Sequence, residues 1–492
     1  MAEYLIAHDL GTSGDKAALF TTDGRLVKSC VASYEVHYFG EHCAEQNPED
    51  WWSAVCRATR EVLKGIPAGQ VLGLSFSAQM QGCLLVDDAG EPLRPSIIWA
   101  DQRASEEAKL LGREIGADTI YSVTGHRLSA NYTLEKLMWL RKHEPDVYRK
   151  AYKTLHAKDY ILFRLTGNFV TDYSDASGTN ALDLDKREWS EEILAAAGIS
   201  EDIFPELHGS TDIVGHVTGE AARQTGLMEG TPVVCGGGDG PCAAVGAGCI
   251  HDDELFTSFG TSAWIGGTCR KKFLDEDKTL FCFAHVIPDR YMPCGTMQAA
   301  GSSYSYIRKI LCPEKSYEEL NAMIASSPAG AKQLLFLPYL VGERSPRWNE
   351  QASGVFLGMR MHHERADYIR AVIEGVAYNL ERILSAYRKY WTVESMMLTG
   401  GGAKGEVVCQ ILSDVFHCTL YTPDYVEEAT SIAAAMIAGV GVGVYEDFEA
   451  ITRFLRITET YRPSGENQEV YDHLKQVFED SYRALEPVFE KL

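Results

Sequence analysis

The 492-residue chain sets 46 Lys and Arg against 69 Asp and Glu, a formal charge of −23, which repels duplex DNA, RNA and anionic membrane and leaves any phosphorylated ligand dependent on a local site. A single core does not serve a chain of this length, so two or three domains are expected, and 45% hydrophobic residues without a low-complexity tract exclude a disordered or fibrous protein. The 13 cysteines contain no CxxC pair, which points to reduced thiols rather than a disulfide framework.

The N-terminus shows no basic region followed by a hydrophobic signal core. The runs VVCGGGDGPCAAVGAG and SIAAAMIAGVGVGV are too short, too glycine-rich, or interrupted by Asp239 to span a membrane. A cytoplasmic protein is expected.

In chain order, YLIAHDL reads as a buried strand that turns at Gly11-Thr12-Ser13 into DKAALF, and Asp23-Gly24 turns again into RLVKSC. NPEDWWSAVCRATREVLKG then offers Asn47 as N-cap and Pro48 at the first helical position. Trp52, Val55, Cys56, Thr59, Val62 and Leu63 fall at helical spacing, and Gly65 is placed to end the helix. Trp51, Trp52 and Trp139 read as core. VLGLSFS and CLLVDD are the next strands, and TPVVCGGGDG carries a strand that ends at Asp239. Cys235, Cys242 and Cys249 recur at a fixed step but lack the close pairs and His partners of a zinc site.

After Ile250 the pattern restarts with ELFTSFGTSAWIG, again a strand, a Gly-Thr-Ser turn and an outgoing strand. His362-His363-Glu364 reads as a polar loop before the amphipathic stretch ADYIRAVIEGVAYNLERILSAYRKY. Strand SMMLT, a glycine turn, a helix beginning near Lys404, strand CTLYT and the small-residue helix EEATSIAAAMIAGV follow, and the tail carries helical periodicity in VYDHLKQVFEDSYRALEPVF. The second half repeats the plan of the first, as two duplicated α/β domains facing each other across a cleft would.

In a Gly-Thr-Ser turn, successive N–H groups and two hydroxyls converge on one anion, so a pair of such turns suits the β- and γ-phosphates of a nucleotide. A third glycine site, Gly400 to Gly402 running into a helix, offers close approach and free N–H groups at a helix start. It also spells GxGxxG through Gly400, Gly402 and Gly405 with Asp424 downstream, the basis of an alternative NAD-dependent oxidoreductase, but that reading leaves both Gly-Thr-Ser turns unexplained. Asp239, after three glycines, is the candidate general base, or else an N-cap of the next helix. Asp9 is placed to hold water around a magnesium ion, or else caps a turn.

With these residues assembled the chain resembles the FGGY family of carbohydrate kinases from Tyr4 to about Phe448, through HDLGTSGDKAALF, EQNPEDWW, SAQMQG, RPSIIWADQR, KDYILFRLTG, TDYSDASGT, GGGDGPCAAVGAG, SFGTSAW, FLPYLVGERSP and LTGGGAKGEVVCQILSDVF. The resemblance implies two actin-like, ribonuclease-H-like domains flanking a cleft, with residues 1–250 mainly binding sugar, 251–445 mainly binding MgATP, and a helical tail, 446–492, docked on the core. It implies Asp239 as catalytic base and Asp9 near magnesium. It also implies Gly11, Thr12, Ser13, Lys16, Gly260 and Thr261 at the phosphates, Gly401, Gly402 and Lys404 on the adenosine side, and Gln79, Met80, Gln81 and Trp99 at the sugar. D-xylulose is the expected acceptor, another ketose or a polyol the alternative, and a homodimer the assembly to test. Family members that act on D-xylulose typically carry His, Asn and Asn where this chain has Gln81, Ala100 and Gly240, changes that remove or alter hydroxyl partners.

Overall fold

The structure, a computed structural model, describes residues 3–40 and 42–492. Its first half is built on a sheet whose central strand β1 (Tyr4–Leu10) lies antiparallel to β2 (Gly14–Thr21) on one side and parallel to β4 (Val71–Ala78) on the other. β3 (Leu26–Ser33) extends the antiparallel side, while β6 (Pro232–Val234) runs parallel to β4, with β5 (Ile213–His216) antiparallel beyond it. The second half repeats this order and these directions. There β7 (Leu255–Phe259) is central, β8 (Ala263–Gly267) and β10 (Tyr291–Met297) form its antiparallel side, and β11 (Ser395–Thr399), β12 (Thr419–Pro423) and the antiparallel β13 (Ile457–Tyr461) form the other. One extra strand, β9 (Phe281–Ala284), is added outside β10. These are two actin-like, ribonuclease-H-like domains.

The continuous apolar run of β1 marks a strand covered on both faces, and Leu5, Ile6, Ala7 and Leu10 are fully buried. His8 shares that burial because its ring is bonded on both sides, by Nδ1 to Asp15 at 2.9 Å and by Nε2 to the Thr59 hydroxyl at 3.2 Å. Helix α1 (Pro48–Val62) starts as its sequence dictates, with the Asn47 side chain accepting from the Glu49 N–H, and it buries Trp51, Trp52, Val55, Cys56 and Thr59 on the first sheet. Trp139 instead stacks on His143 and takes the Arg103 guanidinium over its ring. All 13 cysteines are free thiols, and His362 and His363 lie in the loop before a long helix.

The halves exchange cover. Helix α2 (Asp239–Gly246) leaves the first sheet and sets Ala243 and Ala244 against Phe256, Met292 and Cys294 of the second. In the second half, α3 (Arg365–Arg388) and α4 (Glu406–Phe416) share a core with the second sheet, but α5 (Ala429–Gly441) packs Ile432 to Ala438 against Leu5, Ala7 and Phe20 of the first. The two exchanged helices cross so closely that a Cβ on Gly246 would fall on the Ala429 carbonyl. Phe448, Ile451 and Phe454 then seal the first-half face before the chain returns to β13, and helix α6 (Gln468–Phe489) buries Tyr471, Leu474, Phe478, Tyr482 and Phe489 in the second core. No helix among the described residues is long and apolar enough to cross a membrane.

Candidate active site

Both Gly-Thr-Ser segments are hairpin turns at equivalent corners, closed by Gly11 N–H to the Gly14 carbonyl at 3.0 Å and by Gly260 N–H to the Ser262 carbonyl at 2.9 Å. Ser13 and Thr261 are exposed at the tips. The third glycine segment differs from expectation. Gly401–Lys404 forms a single 3₁₀ turn and α4 begins only at Glu406, not near Lys404. The cause is local: Gly400 takes φ +85°, and a Cβ on Gly402 would fall on the Phe259 ring, so the chain bends tightly around that ring before it winds into α4. Between this turn and Gly260 opens a cavity of about 1020 Å³, walled on its far side by Tyr304 and Asn321. Those two residues lie on helices without a motif. The one sequence sign of them is Gly301, whose N–H bonds the Gly260 carbonyl at 3.0 Å.

Asp239 is the first residue of α2, not its cap; Gly238 occupies that position, and Asp239 Oδ1 accepts from the Gly240 N–H at 2.9 Å. Burial, with the carboxylates of Asp9 and Asp175 nearby, pushes its carboxyl up to about 7. Asp9 sits near the end of β1, and its Oδ2 accepts from the Thr430 hydroxyl at 2.7 Å, so a residue of the second half holds a carboxylate of the first. Burial raises this carboxyl as well. Lys16 pairs with Asp9 across β1 and β2 and therefore points to the same face. Its ammonium donates to the Glu427 carbonyl at 2.8 Å and pairs with Glu428 at 3.2 Å, spanning the two halves rather than curling over the turn. Lys404 pairs with Glu427 at 2.7 Å from the other side.

Gln79, Met80 and Gln81 follow β4 as a buried loop, with Gln81 held at φ +65°. Gln79 Nε2 donates to Gln46 Oε1 at 2.8 Å, and Gln46 Nε2 donates to the Thr12 carbonyl at 2.7 Å, which ties this loop to the first turn. Trp99 donates from Nε1 to the Thr12 hydroxyl at 2.9 Å. Lys136, which sequence reasoning passed over, joins the two loops: its fully buried ammonium donates to the carbonyls of Gln81 at 2.7 Å, Ile98 at 2.8 Å and Asn131 at 2.5 Å. No local period announces such a contact; the one available signal was a lysine inside an otherwise apolar helical face. Beneath Asp239 lies a second buried network. His156 bonds Asp175 at 2.5 Å, Lys158 pairs with Asp159 at 2.9 Å and Asp172 at 3.2 Å, and Ser174 Oγ takes the Gly238 N–H at 3.0 Å. It braces the strand end from which Asp239 projects.

The model of the FGGY family of carbohydrate kinases, N-terminal domain, matches residues 4–246, and that of its C-terminal domain matches residues 255–442. The chain belongs to the FGGY family of carbohydrate kinases. It is 33% identical over 484 residues to the xylulose kinase of Bacillus subtilis, covering 98% of this chain and 97% of that one. Among solved structures it is similar to the ligand-bound xylulose kinase of Lactobacillus acidophilus, with 28% identity, TM-score 0.95 and 99% of each chain covered. It is equally similar in fold to the gluconate kinase of the same organism, with 27% identity, TM-score 0.95 and 100% of each chain covered. ATP as phosphate donor fits this family. The dinucleotide reading of Gly400, Gly402 and Gly405 gives way to it.

In this kinase the sugar-side departures have a steric context: a Cβ on Gly240 would come within 3.3 Å of the Trp264 ring, so glycine and tryptophan fit together here. Lys136→Met is expected to cost on the order of 2–4 kcal/mol of stability, because three buried carbonyls lose their donor. It is also expected to raise the KM for the acceptor more than that for ATP; denaturant unfolding and steady-state kinetics check the two outcomes.

Proposed function

We propose that this kinase transfers the γ-phosphoryl group of MgATP to a hydroxyl of D-xylulose, giving D-xylulose 5-phosphate, with Asp239 as the base. The observation that carries the reading is the position of Asp239. It has Asp9, beside the first turn, as a charged neighbour and lies between Gly238, which packs on Met80, and Gly240, which packs on Trp264, with its carboxyl raised to about 7, the range in which a general base both holds and releases a proton at neutral pH. Thr12, Ser13 and Thr261 offer N–H and hydroxyl groups to the phosphates at the turns that Gly11 and Gly260 close, and the cavity between Gly401, Gly402, Lys404 and Asn321 takes the adenosine.

The crowded carboxylates of Asp9 and Asp239 are oxygen donors of the kind a hard cation prefers, so Asp9 would hold Mg²⁺, directly or through water. When bound, the ion neutralises charge on the phosphoryl oxygens. Gln79, Met80, Gln81 and Trp99 orient the acceptor, Asp239 takes the proton of its hydroxyl as the oxygen attacks in line, and closure of the halves keeps water from the γ-phosphate.

A second reading, a six-carbon sugar acid as acceptor, is favoured by one observation. The half-buried guanidinium of Arg344, over the Phe281 ring in the cluster that also holds Met80, has no carboxylate at ion-pair distance among the described residues. ADP release with MgATP across ketoses, sugar acids and polyols tests both. D-Xylulose turnover is expected, with kcat/KM falling about tenfold per pH unit below about 7 as Asp239 protonates. Turnover of gluconate alone would favour the second reading, and turnover of no sugar would overturn both.

A further inference from the structure

The chain between the strands Leu335–Leu337 and Val355–Leu357 belongs to the second half, yet it delivers two side chains to the first. Arg344 places its guanidinium 5.6 Å from the centre of the Phe281 ring and facing the Tyr132 hydroxyl. Trp348 lies under the Arg127 guanidinium, at 4.9 Å from its ring centre. The segment is held in a tight loop by Trp348 N–H to the Arg344 carbonyl at 2.5 Å, and Trp348 sits at φ +53°. That is a costly conformation for a bulky residue, and such strain clusters where a side chain is aimed for a purpose.

These residues flank the acceptor loop. Met80 packs in one cluster with Phe281, Phe283, Cys294 and Trp348, and the Cys294 thiol lies within electrostatic reach of both Asp239 and Arg344. Asp239 and Arg344 are therefore neighbours of the same buried thiol, one on the side of α2 and the other on this loop. Their surroundings are also incomplete. Arg347, three residues on, pairs with Glu479 at 2.8 Å, but among the described residues neither Arg344 nor Arg127 has a carboxylate partner, in a protein whose net charge is −23. The Trp348 indole Nε1 is buried and bonds nothing among the described residues. Arg344 is thus a guanidinium without a counter-ion, and Trp348, four residues on in the same loop, carries an unpaired buried N–H; both are donors that ligand oxygens can satisfy.

We propose that Arg344, with Trp348 Nε1 as a second donor, reads the terminal oxygen of the acceptor at the end remote from the hydroxyl that Asp239 deprotonates, and so determines specificity. The inference rests on the reading of Asp239 given above. The shared chemistry is a terminal oxygen, which a ketose supplies as a hydroxyl and a sugar acid as a carboxylate.

The test uses the full chain as wild type, Arg344→Met and Arg344→Lys, assayed on D-xylulose and on 1-deoxy-D-xylulose, which lacks only the remote oxygen. If gluconate is the substrate the wild type turns over, 1-deoxy-D-glucitol, which carries no oxygen on C1, takes the analogue's place. On the intact acceptor, Arg344→Met is expected to raise KM about 10- to 100-fold, with the KM for ATP and the melting temperature unchanged. Lysine is expected to restore part of the loss, and wild type and variant to converge on the analogue. A larger loss on gluconate than on D-xylulose would place a carboxylate at Arg344. An unchanged acceptor KM, or an equal penalty on acceptor and analogue, would overturn the inference while leaving the kinase reading intact. Wild type inactive on every acceptor would remove the kinase reading and this inference with it.

Discussion

Asp239→Asn is expected to lower kcat by about 10²- to 10⁴-fold while ATP still binds, since the side chain keeps its shape and loses only its capacity to take a proton. The same substitution is expected to stabilise the protein at alkaline pH. In the native protein the Asp239 carboxyl is raised to about 7, whereas in the unfolded chain it releases its proton near the ordinary carboxylate value of about 4. Its contribution to stability is therefore full below pH 4 and is lost as pH rises towards 7, beyond which a partly buried charge sits beside Asp9 and Asp175. Asparagine removes that cost. Denaturant unfolding at pH 8 should show the variant more stable by on the order of 1–3 kcal/mol, with the gap closing towards pH 4. A variant that keeps wild-type kcat would remove Asp239 from the chemistry, and one less stable at pH 8 would contradict the electrostatic account.

Gly246→Ala is the second large effect. The added methyl would meet the Ala429 carbonyl oxygen, carbonyl carbon and Cα, all backbone, so no side-chain rotation relieves the clash and the crossing of α2 and α5 must open. The expected cost is about 1–3 kcal/mol of stability. Activity should fall by more than stability explains, because the residue after Ala429 is Thr430, whose hydroxyl holds Asp9, and displacement of a positioned group by an ångström costs about 100-fold in rate. Gly465, whose added Cβ meets nothing within 4 Å, supplies the control: Gly465→Ala should leave both melting temperature and kcat unchanged.

Much of this fold was legible because its signals are short-range. A buried strand, a turn that needs glycine and a helix capped by Asn47 can each be read within about twenty residues, and the second Gly-Thr-Ser turn announced the duplication before any sheet order was known. Asp239 stood out for the same reason, and of its two readings the cap falls away, because the glycine before it takes the cap position. The start of α4 was misplaced because a ring 143 residues upstream, Phe259, fixes where the backbone of Gly402 can go. On similar grounds Lys136 and Tyr304 carry no motif, and Arg344 stands in FLPYLVGERSP without a sign of its partner. Lys136 acts through carbonyls from three separate segments, and Arg344 reaches its neighbours from the other half of the chain. Nothing in the spacing of either stretch encodes such a partner.

The exchanged helices also set a constraint on how the molecule is made. During synthesis the strands of the first half emerge before their cover, with Leu5, Ala7 and Phe20 presenting an apolar face that Ile432 to Ala438 and then Phe454 close only after β7 to β12 of the second half have been made. Domain-by-domain folding, the ordinary route for a protein of this size, is thus left unfinished in the first half until most of the second has been made. The interval in which that face stays bare is set by the length of the second half rather than by anything in the first.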